Sequence, residues 1–553
     1  MYFENLMKDL VATYKPGATV SLTGDQKLTI ASIISVGEGR SKVALKISDK
    51  YRNRFKTVRK KIFEQISQGV PIYGTTTSYG GRANVILNKG NAEKRLLNAT
   101  KLSQSIVHVD VSTGPTIPKE IVRSAILIRI NMLMPGLSGI RIKILEVLSK
   151  LLNQDIIPNI GQYGSVGASG DLAQNGRIVS LLLQLPSVMV TNENGKVYEA
   201  RKILKKNGIE AVVLEPKEGL ALVNGDNFSS SAASFVAYET LQLLLLNLSC
   251  NALIVQALRG SLRNFHPILS KVRPHKGQEF TSYILRSLLK DSKLARQDLK
   301  EPSYRGNDES VQDPYSIRCI PQYFGPDWEN LASIWETITI NVNSVSDNPI
   351  WTTPEYVDSG EKPYQWVSGG NFLAMHMSDS LDRLRKILVH IIKLNDRHLA
   401  RLVHPKFNNG LPANLSDKMA ISQTTFKGLQ TQMGMYDVYS SLLVNPASTA
   451  FGSHEEFNQD VTSHSFSSAI LSWELLRIAR YAIATNLIAS CQAIDLRGGP
   501  DLLSPSTRLL YKWVRSNVPY IKKEQPLGHY VEKLSDDLLK GRVVKSFLKD
   551  LEL

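Results

Sequence analysis

The 553-residue sequence predicts a mainly α protein, a bundle of long helices with a small mixed N-terminal part. Three observations predict it. Apolar residues recur at helical spacing over stretches much longer than a typical helix. Strand-like alternation is scarce. Neither an internal repeat nor a low-complexity linker interrupts the pattern.

Pro118 opens the first helix, which runs through IVRSAILIRINMLM to Pro135-Gly136. A second covers IRIKILEVLSKLLNQ, and a third, rich in Ala, Leu and Ser, runs from about Ser229 to Leu262. A fourth follows Gly370 to about Leu402, and a fifth spans about Thr462 to Ala493. Helices of this length with apolar residues on more than one face belong in the core of a bundle or oligomer. The strand candidates are Thr19 to Leu22, Val188 to Thr191 and Val212 to Leu214. The polar stretch from Asp298 to Asp313, with Pro302 and Gly306, reads as a surface loop or a connection. The expected organisation is an N-terminal domain over 1–225, a central long-helix bundle over 226–500 and a C-terminal helical segment over 501–553.

Hydrophobic residues make up 42% of the chain and charged residues 21%, enough for a substantial core and ordinary for a globular protein. The net charge of +16 is scattered. Its densest cluster, RNRFKTVRKK at 52–61, lies in a helix-like segment and reads as a solvated face rather than a nucleic-acid site. Cys250, Cys319 and Cys491 are far apart and odd in number, which argues against a disulfide framework and a CxxC metal site. The N-terminus lacks a signal-peptide pattern, and apolar runs such as Leu243 to Leu246 are too short to span a bilayer. The expectation is a cytoplasmic protein with no metal and no nucleic-acid or membrane partner.

The most informative stretch is GSVGASGDLAQ, Gly164 to Gln174. A phosphate loop would need a Lys in Walker spacing or a GxGxxG after a strand, and neither is present. A different chemistry uses these residue types directly. If the Gly170 nitrogen attacks the Ala168 carbonyl, a five-membered ring closes across Ser169. Loss of two waters then leaves an imidazolone with an exocyclic methylene. Gly170 has no Cβ to block the approach, Ala168 is small enough for the bend, and Ser169 supplies the departing hydroxyl. The product is an electron sink that needs no external cofactor. Taken alone, Ala-Ser-Gly is equally a tight loop.

Further motifs accompany it in order: PIYGTTTSYGG (71–81), RINMLMPGLSGIR (129–141), KEGLALVNG (217–225), QDPYSIRCIPQ (312–322), SVSDNPI (344–350), SGGNF (368–372), FKGLQ (426–430) and EEFNQD (455–460). From about Leu28 to Arg497 the chain resembles the aromatic amino acid ammonia-lyases and aminomutases, most of all the bacterial, cyanobacterial-type phenylalanine ammonia-lyases. The resemblance implies the long-helix fold of the ammonia-lyase/fumarase-like superfamily. It implies an MIO group (4-methylidene-imidazole-5-one) formed from Ala168, Ser169 and Gly170. It also implies a homotetramer whose active sites are shared between chains, so that Tyr73 and the electrophile come from different subunits.

By the same resemblance Tyr73 is the base that takes the β-proton. A phenol titrates near pH ~10, so positive surroundings or the electrophile must lower its pKa. Arg318 clamps the substrate carboxylate in two-pronged fashion. Asn224 and Gln312 hydrogen-bond the ring, Tyr315 and Asn348 line the site, and Phe372 packs beside the electrophile. Lys427 and Glu455 match the phenylalanine-type enzymes. Glu455 takes the amino proton or holds the ammonium, with Gln459 near it. Surface ion pairing is the plainer reading of Lys427 and Glu455, and a turn that of Asn348-Pro349.

The departures bear on substrate and outcome. Val109 and Asp110 stand where the resemblance puts the ring-recognition pair, in a segment one residue longer than usual, so Asp110-Val111 is the alternative register. An aspartate in the ring pocket points to a phenol hydroxyl or an imidazole; otherwise Asp110 faces solvent or an arginine. Thr75 and Ser78-Tyr79 depart from the usual tyrosine loop, and Gln174-Asn175 replaces the usual Pro-Leu. The implied activity is carbon–nitrogen lysis of an L-aromatic amino acid (phenylalanine, tyrosine or histidine class) to an arylacrylate and ammonia. The alternatives are a 2,3-aminomutase making a β-amino acid and, from another class, a catalytically inactive helical scaffold.

Overall fold

The structure, a computed structural model, describes residues 3–192, 194–297, 311–450 and 452–539. Most of the polar stretch expected between Asp298 and Asp313, and the last residues of the C-terminal segment, lie outside the described residues.

The architecture is set by helix Asn227–Ala257. Every residue of it except Glu239 is buried. Around it pack Lys119–Leu133, Ile320–Val342, Met375–Val403 and Ser465–Leu496. By length and composition alone Asn227–Ala257 could cross a membrane, contrary to the expectation that the apolar runs are too short, but its apolar window is wholly buried inside the protein. Several polar groups in this core pair across helices, as burial favours. Asn395 donates to Asn247 Oδ1 at 2.7 Å and Asn486 donates to Asn395 Oδ1 at 2.7 Å, so three of the long helices are tied by one chain of amides.

The five expected long helices are all present, with ends shifted by a few residues. Pro118 caps Lys119–Leu133, and the second helix is Ile142–Asn153. The third stops at Ala257 rather than Leu262, because Arg259 turns left-handed (φ 54°) and Gly260 N returns to Val255 O at 2.8 Å. Further helices, among them Ile320–Val342 and Lys427–Leu443, escape the periodicity reading. In the first, Pro321 and Pro326 interrupt the pattern, yet Pro321 sits in the first turn, where its missing N–H costs little.

Strands occur only as four two-stranded pairs among the described residues. Val20–Leu22 and Met189–Thr191 correspond to expected strands. Val212 to Leu214 does not form one. Its inside-outside alternation is real, but no second strand lies beside it among the described residues. Val212 N bonds Leu182 O instead, and Arg141 takes the Val213 carbonyl. Two of the strand pairs position loops of functional interest. Thr113–Thr116 pairs with Gly161–Tyr163, which brings the segment after Asp110 against the start of the glycine-rich stretch. Ile350–Trp351 pairs with Trp366–Val367, which sets Asn348 beside Ser368–Gly370.

Helices Lys276–Leu289 and Ile320–Val342 approach backbone to backbone at two glycines. A Cβ on Gly277 would lie 1.9 Å from Gly325 O. Gly277→Ala is therefore expected to cost about 1–3 kcal/mol of stability, read as a lowered midpoint in urea unfolding.

Candidate active site

The Ala168-Ser169-Gly170 bend is held in a backbone vice. Gly170 has φ 69°, and a Cβ there would sit 2.2 Å from the Gly225 carbonyl carbon. Gly170 and Gly225 bridge in parallel, and Asp171 N donates to Gly225 O at 2.9 Å. On the other side Ser463 Oγ donates to Gly167 O at 2.8 Å and His464 N to Val166 O at 3.0 Å. Ser165 Oγ ties the bend to itself through Gly170 O at 2.9 Å. Ala168 is buried and Ser169 half-buried. These residues suit a ring closed between positions 168 and 170: the bend is tight, small side chains are obligatory, and the serine opens on a cavity.

Beneath it lies a floor of buried charge. Arg129 donates to Ser346 O at 2.6 Å and Asn224 O at 3.1 Å, so the first long helix fixes both neighbouring loops. Lys217, fully buried, pairs with Asp347 at 2.9 Å. Burial pulls the Lys217 amine below the ordinary lysine range, and Asp347 opposes the pull. Asp347 in turn accepts from Asn348 N at 2.7 Å. Asn224 donates through Nδ2 to Asn348 O at 2.9 Å, which fixes the plane of its amide. Asp171, next to the bend, is pushed up to about 7 by burial, although Ser229 N (2.8 Å) and Ser229 Oγ (2.6 Å) both donate to it.

The tyrosine loop forms the wall. Ile72 O accepts from the backbone nitrogens of Thr75, Thr76 and Thr77, and all three threonines are buried. This turn presents Tyr73, whose hydroxyl accepts from Gly80 N at 3.0 Å. Burial pushes the Tyr73 phenol up; the Gly80 bond lowers it and Glu455 raises it further. That is the opposite of the expected lowering, because no cation among the described residues of the chain acts on it.

Between wall and floor is a cavity of about 440 Å³, a size suited to one small ligand. Tyr73, Val109, Ala168, Ser169, Asn224 and Asn348 line it, as do Phe372, Glu455 and Gln459. Glu455 is its one charged side chain, and no lysine or arginine lines it among the described residues. Tyr73 and Ser169 of a single chain thus face one cavity, where different subunits were expected to supply them.

The aromatic amino acid lyase family model matches residues 28–516. Phenylalanine ammonia-lyase of Nostoc punctiforme is 32% identical over 95% of this chain and 94% of its own. The chain belongs to the aromatic amino acid lyase family. Histidine ammonia-lyase of Streptococcus pyogenes is 30% identical over 96% of this chain and 98% of its own. Among solved structures, tyrosine aminomutase of Streptomyces globisporus superimposes with a TM-score of 0.85 at 27% identity, covering 97% of this chain and 99% of that one.

Four of the residues singled out for this family lie far from the cavity. Gln312, Tyr315 and Arg318 belong to the turn that Asp313 fastens to Ser261 N, just past the C-terminal end of Asn227–Ala257. Arg318 lies over the Tyr315 ring at 4.4 Å, and His398 Nε2 donates to Ser316 O at 2.6 Å. Lys427 follows Phe426, whose N bonds Asn414 O, next to the Leu415 carbonyl that accepts from Gln492 near the end of Ser465–Leu496. The bend adjoins the opposite ends of those two helices. Thirty-one residues span about 46 Å, so these side chains are about that far from Ser169 within one chain.

Asp110 is a second correction. Its carboxylate is buried against Arg177 at 3.0 Å and does not line the cavity, so it says nothing about the substrate ring. Val111 is exposed and does not line it either. A 3-10 turn over Ile106–Val109 instead turns His108 and Val109 toward the cavity. His108 and Tyr79, whose rings lie 6.1 Å apart, were missed from sequence. The extra residue in the segment was the available signal for His108, and the departure at Ser78-Tyr79 for Tyr79. Arg129 and the Lys217–Asp347 pair were also missed, since only folding gives a buried ion its partner.

Lys217→Met should leave Asp347 buried without its counter-charge. The expected loss is about 3–5 kcal/mol, measured by denaturant unfolding. A loss under about 1 kcal/mol would mean that the pair is not buried as described.

Proposed function

We propose that the protein removes ammonia from an L-aromatic amino acid, giving the arylacrylate, by means of an MIO group it forms from Ala168, Ser169 and Gly170. The observation that carries this reading is the position of Ser169. It opens from a bend that admits no side chain at 170 into the cavity that also holds Tyr73. When formed, the ring supplies an electron-poor methylene carbon and needs no external cofactor.

The chain's own residues then divide the work. Asn224 and Asn348, with amides fixed by the floor, hold the ring's polar edge. Apolar walls that include Val109, Leu172, Leu220 and Phe372 receive the aromatic side chain. Tyr73 takes the β-proton, and Glu455 faces the amino group. What the described residues of a single chain do not bring to the cavity is a cation for the substrate carboxylate and for Tyr73. Arg318, with Gln312 and Tyr315 beside it and Lys427 at the same end of the bundle, meets that need if copies stack with their long helices antiparallel. Two features support such assembly. Tyr315 is 73% exposed. Helix Lys427–Leu443 also carries an exposed apolar stripe, Met435, Val438 and Leu442. By family likeness the assembly is a homotetramer with shared sites.

The aromatic ring stays open between the phenylalanine, histidine and tyrosine classes. His108 at the cavity mouth favours a ring with a polar group. The 2,3-aminomutase reading has its own support in the departures at Thr75 and Ser78-Tyr79 and in the likeness to a tyrosine aminomutase. A loop that opens slowly would keep ammonia for re-addition. Arylacrylate as the main product from phenylalanine, tyrosine or histidine supports the lyase, and β-amino acid as the main product overturns it.

Intact mass tests the electrophile. The wild-type chain should be lighter than its sequence by two waters, and Ser169→Ala, with no hydroxyl to expel, should be lighter by one water at most and lose activity by at least about a thousandfold. A full-mass, inactive wild type would support the scaffold instead. Shared sites are tested by complementation. Ser169→Ala and Arg318→Met should each be inactive as pure assemblies. Unfolded together and refolded, they should regain activity, because some mixed sites combine an intact bend with an intact arginine. No regain on mixing would place Arg318 outside the site.

A further inference from the structure

The hydroxyl that the ring chemistry must expel already has a partner. Gln459 Nε2 donates to Ser169 Oγ at 3.1 Å. We infer that Gln459 drives maturation of the electrophile, as the hydrogen-bond donor to the departing oxygen in the second dehydration. This rests on the reading that Ala168, Ser169 and Gly170 close into a ring.

Two waters leave in two balanced steps. The bond from Gly170 N to the Ala168 carbonyl carbon forms, and the Gly170 amide proton moves to the former carbonyl oxygen. That hydroxyl leaves with the Ser169 amide proton as the first water, making the C=N bond. Ser169 then gives up its Cα proton and its Cβ–Oγ bond breaks, so the hydroxide and the proton leave as the second water and the methylene remains. Closing the ring uses the geometry of the Gly170–Gly225 vice. Expelling hydroxide is a separate difficulty, since hydroxide is a poor leaving group and Ser169 is half-buried. An amide N–H placed on Oγ stabilises the charge that gathers there as the bond breaks, as an oxyanion donor does.

Gln459 is built for that position. His454 and Gln459 bond each other's backbones in both directions, at 2.9 and 3.1 Å, closing a short loop. Inside it Glu455, Glu456 and Phe457 all take left-handed conformations, with φ of 51°, 55° and 63°. Three such residues in a row are costly. They are held by the tyrosine loop, where a Cβ on Gly80 would meet the Glu455 carboxyl at 2.1 Å and one on Gly81 would meet Glu456 Cβ at 2.6 Å. Beyond Gln459 the chain continues to Ser463 and His464, which bond the carbonyls of Gly167 and Val166. The arm from 454 to 464 thus grips the bend at three points, and the third, made by Gln459, is at the atom that must leave.

The test tracks the intact mass of the full-length protein at successive times after synthesis. Wild type is expected to lose two waters. Gln459→Leu is expected to fold and assemble as wild type does, by circular dichroism and light scattering, and to pause with one water lost. Its second loss should be slower by on the order of a hundredfold. Gln459→Glu, of the same size but without a donor at neutral pH, should pause likewise, and it carries the test should the leucine variant fail to fold. Loss of both waters at the wild-type rate overturns the assignment. So does a folded variant that loses none, because ring closure and not expulsion would then need Gln459. A wild type of full mass overturns the ring reading itself and the assignment with it.

Discussion

The contact on which the site depends is the approach of Gly170 to Gly225, backbone against backbone. Neither position has room for a Cβ. One on Gly170 would lie 2.2 Å from the Gly225 carbonyl carbon, and one on Gly225 would lie 2.0 Å from Arg129 Nη1. Three layers are therefore stacked without side chains between them: the bend, the turn after Asn224, and a buried guanidinium. The close packing explains why the floor is ionic. Arg129 reaches carbonyls deep in the fold, and Lys217 neutralises the aspartate that orients Asn348. Such ions are poor sources of net stability. What they give is position, since each has one arrangement in which its charge is met.

The same economy leaves the cavity short of positive charge. Arg129 and Lys217 are committed to the floor, and among the described residues the cavity wall carries only Glu455. Burial then pushes Tyr73 away from the range in which it would act as a base. On the proposed reading the missing cation arrives from the other end of a second copy. On that reading the long helices serve as spacers as well as core: they fix how far apart the two halves of the site lie and so which ends must meet.

On the proposed reading substrate choice turns on a short segment. Asp110 is spent on Arg177, and the cavity sees Val109 and His108 instead. The ring pocket is accordingly mostly apolar with one imidazole at its mouth. On the proposed reading that lining leaves the ring open between the phenylalanine, histidine and tyrosine classes, with Glu455 the one carboxylate in the cavity among the described residues.

The sequence by itself determined the helical class, because apolar spacing of about 3.6 residues is a local signal that survives over thirty residues. It also singled out Ala168-Ser169-Gly170, whose small residues suit the proposed ring, together with the ordered motifs that accompany it. What it left open were matters of distance. Val212 to Leu214 alternates as a strand does but is met by a helix carbonyl and an arginine instead of a second strand. Pro321 and Pro326 hide a helix that packing supports. Lys217 and Asp347 lie 130 residues apart, and no local pattern pairs them. Whether Asp110 met a ligand or an arginine, and whether Arg318 stood beside Ser169 or a helix length away, only the tertiary structure decided. A residue type fixes which partners a side chain accepts, but the fold fixes which partner is within reach.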